Sequence, residues 1–225
     1  MAIMTKELVK PIKNTRAGNP FSKKMKKFST LLFCSLLLFL PDGRAGEAGQ
    51  KFIPGMYEGL MLAVDREGGL LGFYREVQGT GPTKTCSFYL KGKDVGGQAS
   101  VATWNMQVFP GLLRTDGKDV NLKIDQGREH PGCGLVLLPE ITKGIVLEKT
   151  SEAQWGSLKV VKNNRAPLFS EPSPGKETKS YFIKNDVLGV VSVNGEWVKV
   201  EFPREGKAAI KGWVRSSDMQ DLLPP

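Results

Sequence analysis

One histidine and three cysteines are all the chain offers, in 225 residues, toward metal binding or thiol chemistry. His130 has no second imidazole to join it. Cys86, His130 and Cys133 together make only three ligands, without the second short-spaced pair that structural zinc uses. Neither a metal nor any other cofactor is expected. Thiolate catalysis is as poorly supported, since it needs a free cysteine whose base is held by a third group. Lys84-Thr85-Cys86-Ser87 has no Asp before the cysteine, and His130 runs straight into Pro131-Gly132. The chain also lacks a run of about 20 apolar residues, the length a membrane-spanning helix requires. Its longest apolar run, Leu31 to Leu40, is about half that.

That run sits in an informative setting. Met25-Lys26-Lys27-Phe28-Ser29-Thr30 is a short basic lead, and Pro41-Asp42-Gly43-Arg44-Ala45-Gly46-Glu47-Ala48 is an exit rich in small residues. Basic lead, apolar middle and small-residue exit are the three parts of a secretory signal peptide. Residues 1 to 48 are therefore expected to be an N-terminal extension and export signal, with translation starting at Met25 and cleavage after Ala45 or Ala48. Phe33 before Cys34 does not suit lipidation, which wants a small residue there. Contact with a membrane is expected only through this signal, and the destination is periplasmic or extracellular.

Charge follows from the same division. The whole chain carries 32 basic and 23 acidic side chains, a net charge of +9. Residues 1 to 45 hold nine of the former and two of the latter, so the remainder is nearly balanced. A nucleic-acid binder would carry its basic stripe in the folded part, and no such stripe is present there. From Gly156 onward 11 basic residues face eight acidic ones, a slight excess that suits an acidic polymer such as cell-wall material.

Export also changes the reading of the cysteines. Cys34 leaves with the signal, and the remaining even pair, Cys86 and Cys133, is expected to form a disulfide in an oxidising compartment.

From Lys51 to about Trp155 short apolar stretches alternate with Gly and Asp clusters. The candidate strands are Met56 to Val64, Leu70 to Val77, Thr85 to Leu90, Ser100 to Phe109, Val120 to Ile124, Gly134 to Leu138 and Ile145 to Leu147. Turns are marked by Gly68-Gly69, Thr80-Gly81-Pro82, Gly96-Gly97, Asp116-Gly117 and Gly144. Short strands at regular intervals without a helical period predict an all-β protein, with an antiparallel barrel or sandwich over residues 49 to 155. Aromatics on the first hairpin, Tyr57, Phe73 and Tyr74, with Trp104, read as cross-strand packing. His130 in its polar loop reads as solvated. The joining stretch, Glu148 to Ser157, is poor in glycine and holds Trp155, so it is expected to dock the two parts rather than tether them loosely.

Residues 156 to 225 have a different texture. Asn194-Gly195 is a strong hairpin signal, because a type I′ turn needs φ > 0 at both central residues. With that pair at the tip, Ser192 would face Trp197 and Val191 would face Val198. Val191, Val193, Val198, Val200 and Phe202 would then line the core.

In order and spacing this last third resembles a bacterial SH3-like (SH3b) domain. The pieces are Leu158 to Val161 as a first strand, Arg165 to Pro172 as the first long loop, and Lys184-Asn185-Asp186-Val187 entering the next strand. Glu196-Trp197-Val198-Lys199-Val200 and Lys211-Gly212-Trp213-Val214 complete the pattern. Asn185 stands where the family commonly has Gly, and Asn tolerates the left-handed region. The resemblance implies a small barrel that binds in a shallow groove between loops.

Non-enzymatic binding of a peptide, of peptidoglycan or of another exported protein is therefore the leading functional expectation. Phe169, Ser170, Tyr181, Trp197 and Trp213 are the candidate contacts, since Trp and Tyr join a large apolar body to one polar group. A second reading is an inhibitor or immunity-type protein acting through the cysteine-held loop Arg128 to Gly134. A cell-wall hydrolase using Cys86 is the third.

Overall fold

The computed structural model describes residues 50 to 80 and 83 to 225, so the expected signal peptide, its start and its cleavage site lie outside the described residues. Sixteen strands build two antiparallel sheets. The first sheet uses β1 (Gly55–Tyr57), β2 (Leu60–Val64), β3 (Gly69–Gln78), β4 (Lys84–Lys93), β5 (Gln98–Trp104), β6 (Val108–Thr115), β7 (Val120–Ile124), β8 (Ile145–Leu147) and β9 (Lys149–Glu152). The second uses β10 (Ser157–Val161), β11 (Arg165–Phe169), β12 (Glu177–Ile183), β13 (Val187–Asn194), β14 (Trp197–Arg204), β15 (Lys207–Arg215) and β16 (Met219–Asp221).

The first sheet runs in chain order from β8 through β7 down to β1, then β9. Only Glu148 separates β8 from β9, so the chain steps from one edge of the sheet to the other and the sheet nearly closes into a barrel. Two-residue alternation decides what lies inside. Leu70, Gly72 and Tyr74 of β3 and Cys86, Phe88 and Leu90 of β4 are buried, while Leu71, Phe73, Ser87 and Tyr89 lie on the other face. The barrel core is completed by Leu113, Leu122 and Ile124, and by Val136, Leu137 and Ile141 from the segment after β7.

That segment departs from expectation. Gly134 to Leu138 reads as a strand but forms short 3-10 turns, one at Cys133–Leu135 and another at Pro139–Thr142. Cys133 is fixed to Cys86 by the expected disulfide, and Gly132 turns the backbone at φ 82° immediately before it. Val136 and Leu137 both donate their backbone N–H to the Cys133 carbonyl, which curls the segment instead of extending it. Its apolar residues enter the core as a plug.

Two further stretches expected to be single strands are hairpins. Met56 to Val64 breaks at Glu58-Gly59, where Gly59 has φ 72°. Ser100 to Phe109 breaks at Asn105-Met106-Gln107, and the Asn105 side chain donates to the Ser87 carbonyl.

The second sheet, ordered β12-β11-β15-β14-β13-β10-β16, is a half barrel. Its core is mostly aliphatic: Val161, Ala166, Leu168, Leu188, Val190, Val198, Val200 and Val214, with Phe182. The hairpin turn sits one residue later than expected, which moves the cross-strand partners beside it by two. Asn194 pairs with Trp197, Val193 with Val198 and Ser192 with Lys199, so the two turn residues are Gly195 and Glu196. Gly195 has φ 57° and neither neighbour is left-handed, the pattern of a type II′ turn with Gly in first place. A bulge at Val191 then restores the buried pairing of Val190 with Val200. Val193 ends beside the turn and is exposed, and Val191 packs toward the first sheet. The stretch from Arg165, expected as a long loop, begins as strand β11, with Ala166 and Leu168 buried. Asn185 is the one non-glycine residue with positive φ among the described residues, at 74°.

A third cluster joins the sheets: Met61, Ala63 and Trp104 from the first, Leu158, Val160, Val187 and Leu222 from the second, and Trp155 between them. Trp155 lies flat against Gly189, where a Cβ would sit 2.4 Å from its ring, and its Nε1 donates to Glu201 at 3.0 Å. The described residues belong to one compact unit.

Candidate binding surface

The outward residues of β11, β14 and β15 form the one place where the sequence-derived site residues gather. Trp197, Lys199 and Glu201 of β14 pair with Arg215, Trp213 and Lys211 of β15, on the face opposite the buried Val198, Val200 and Val214. Phe169 pairs with Trp213 across the β11–β15 ladder, and its ring meets Trp197 edge-on at 4.7 Å between centroids. Phe169 and Trp197 are buried, Trp213 is half-buried, and Ser170 is exposed.

Tyr181 lies further along the same face, on edge strand β12 opposite Pro167. It is half exposed, and the Arg165 guanidinium sits 4.1 Å above its ring. Arg215 occupies the same position over Trp197, at 4.7 Å. A guanidinium over an aromatic face is an attractive cation–π pair, worth about 0.5 to 1 kcal/mol where water reaches it. Neither Lys179 nor Lys199 has an ion-pair partner among the described residues. Arg215 has a distant one, Glu196 at 3.9 Å, and Lys211 pairs with Glu201 at 2.7 Å. The face thus sets rings beside cations, of which Lys179 and Lys199 have no ion-pair partner among the described residues. Sequence reasoning found the rings and missed the cations, though the alternation Trp197-Lys199 against Trp213-Arg215 carried them.

The loop Arg128 to Gly134 is built differently. Its backbone is pinned by the disulfide, and Arg128 donates to the Gly134 carbonyl. His130, expected to be solvated, is buried between Phe88, stacked at 4.8 Å, and Phe109, edge-on at 4.9 Å. Its Nε2 lies 3.0 Å from the Thr103 hydroxyl, which itself donates to the Phe109 carbonyl. The single hydroxyl proton is thereby used, so Nε2 carries the imidazole proton and donates to Thr103. Nδ1 is left without a partner. Burial pushes the imidazole pKa down to about 4, because a charged ring would have no solvent. With Cys86 in a disulfide and His130 walled in by rings, the two do not form a nucleophile and base.

Among the described residues no cluster of His, Cys, Asp or Glu is placed to hold a metal ion, and no helix is long and apolar enough to cross a membrane. Comparison with protein families, with curated proteins and with solved structures finds no match for the chain. What stands is the class defined by the fold: an all-β protein of a nearly closed barrel and a half barrel, held by one disulfide.

Proposed function

We propose that this is an exported, non-enzymatic binding protein, and that the outer face of β11, β14 and β15 takes a peptide or peptidoglycan-like ligand. One observation carries the reading: half-exposed Tyr181 and half-buried Trp213 stand on the outside of an already complete core, beside Phe169 and Trp197, which are covered. Phe169, Trp197 and Trp213 are not needed to fill that core. Large apolar rings beside polar groups suit stacking against extended peptides or sugar rings. The cations Arg165, Lys179, Lys199 and Arg215 favour a ligand with free carboxylates, as stem peptides have.

Export is supported by the three-part N-terminal pattern and by the disulfide, which persists in oxidising compartments. The resemblance of residues 156 to 225 to SH3-like domains supports the same ligand class. The inhibitor reading draws less support, because Arg128, the basic side chain of that loop, is spent on Gly134.

Co-sedimentation with purified sacculi tests the proposal. Trp197 is a poor probe because it is largely buried, so the variant of choice is Trp213→Ala together with Tyr181→Ala. The wild type is expected to pellet and the double variant to stay in the supernatant while still melting in one cooperative transition. Equal pelleting of both would refute the assignment.

A further inference from the structure

The outer face of the first sheet holds a second row of rings, independent of the surface just described. Met61, Phe73, Tyr89 and Trp104 are in register across β2, β3, β4 and β5, so their side chains line up at right angles to the strands. Phe73 and Tyr89 are 5.1 Å apart between centroids, and Tyr89 and Trp104 are 5.8 Å apart. The ends of the row, Met61 and Trp104, are covered, whereas Phe73 and Tyr89 remain half-buried. The next row on this face is polar: Arg75 pairs with Ser87, and Asn105 reaches the Ser87 carbonyl.

These two rows floor a groove of about 1580 Å³ between the sheets, whose far wall is the β14–β15 hairpin tip. Small-molecule sites span roughly 300 to 1,000 Å³, so this groove is of a size for a segment of polymer. Its charges nearly cancel, with Glu58, Glu76, Glu152, Asp186, Glu201 and Glu205 against Arg75, Lys184, Arg204, Lys207 and Lys211. Several of these are already engaged: Glu201 with Lys211 and Trp155, Glu152 with Lys149, and Arg204 with the Ala208 carbonyl. A polyanion or polycation therefore gains nothing there. A neutral chain with an apolar face and many hydroxyls is matched by rings for its C–H face and by Arg75, Ser87 and Asn105 for its hydroxyls.

We propose that the groove between the sheets binds a segment of neutral glycan, with Phe73 and Tyr89 as the stacking platform and Arg75, Ser87 and Asn105 as hydrogen-bonding partners. The groove shares Glu201 and Lys211 with the outer face of the second sheet but none of its rings, Phe169, Tyr181, Trp197 or Trp213.

The test is a fluorescence titration of the whole mature chain with chitohexaose and, separately, with cellohexaose and poly-glutamate. Saturable binding of at least one hexaose is expected, weakened tenfold or more by Tyr89→Ala and several-fold by Arg75→Ala. Arg75 is exposed, so its variant remains informative if Tyr89→Ala does not fold. Val95→Ala, at an exposed position outside both surfaces, is expected to leave hexaose affinity within twofold. The proposal is overturned if neither hexaose binds, if poly-glutamate alone binds, or if Arg75→Ala and Tyr89→Ala bind like wild type. Hexaose binding lost only with Trp213→Ala would also overturn it and would place the glycan on the other surface.

Discussion

The two sheets fill their interiors with different residues. In the nine-stranded sheet Tyr57, Tyr74, Phe88 and Phe109 fill the interior, and His130 is stacked among them with no charge nearby to favour its protonation. In the seven-stranded sheet the interior is aliphatic apart from Phe182, and the opposite face carries Phe169 and Trp197, both covered, half-buried Trp213 and half-exposed Tyr181, with guanidinium groups over Trp197 and Tyr181. A ring inside a barrel is fixed by packing and gives stability. Outside, beside a cation, it is available to something else. The contrast lies in the two interiors, since each sheet also carries rings on its outer face, Phe73 and Tyr89 on the first and Tyr181 and Trp213 on the second.

The comparison can be broken at several points. Trp155 belongs to neither sheet's own core but to the cluster between them, so Trp155→Ala is expected to cost about 4 kcal/mol, within the range for large-to-small core changes. A urea melt in which the loss is under about 1 kcal/mol would show that the sheets do not depend on the contact. Gly189→Ala should behave like a milder Trp155 variant, since the new Cβ meets the same ring.

Opening the disulfide comes next. It spans 47 residues, and in the chain-entropy account a loop of that length contributes on the order of 4 kcal/mol, less any strain in the bridge. The paired Cys86→Ala, Cys133→Ala variant should lose up to that amount, and the loss should appear in the barrel while backbone signals of β11, β14 and β15 stay in place. Simultaneous collapse of both sheets would erase the distinction drawn between them.

His130 gives a smaller, pH-dependent effect. Its folded pKa, about 4, lies below the unfolded value of 6.5, so the unfolded chain binds the proton first as pH falls. The neutral ring costs nothing above pH 6.5. Stability then declines as pH drops from 6.5 toward 4, by about 3 kcal/mol in all at 1.36 kcal/mol per unit. His130→Phe should remove that part of the slope while keeping the Thr103 hydroxyl bonded to Phe109. Wild type and variant with parallel pH profiles would mean that the ring is not the buried neutral group described. Smallest of all, Tyr181→Ala should cost about 0.5 to 1 kcal/mol, the worth of its pairing with Arg165, in a urea melt.

Much of the fold was legible because strands that bury one face alternate with a period of two, as Leu70 to Tyr74 and Val120 to Ile124 do. Positive-φ turns were legible at Gly68, Gly96, Gly117 and Gly144, where glycine stands among other turn residues. The period cannot tell a strand from a plug when tethering decides, which is why Gly134 to Leu138 was misread. Neither can it tell one long strand from two when a turn is as short as Glu58-Gly59. The hairpin tip was misplaced because Asn-Gly competes with Gly-Glu for the same site. The type II′ turn, with Gly195 first, was settled by the buried pairing of Val190 with Val200, two residues beyond the reach of a turn rule. In the candidate surface the rings were recognisable as rings, but their gathering depends on β11 lying beside β15, a neighbour relation 40 or more residues distant in the chain. The solvated reading of His130 failed because nothing local announces that Phe88 and Phe109 close over it.

The account rests on the outer face of β11, β14 and β15 being the contact surface, and amide chemical-shift mapping with solubilised peptidoglycan fragments examines it most directly. Perturbations are expected to centre on Phe169, Trp197, Lys199, Trp213 and Arg215, and to fade toward the inward-facing Val198, Val200 and Val214. Saturating fragments that leave those five signals unmoved would contradict it.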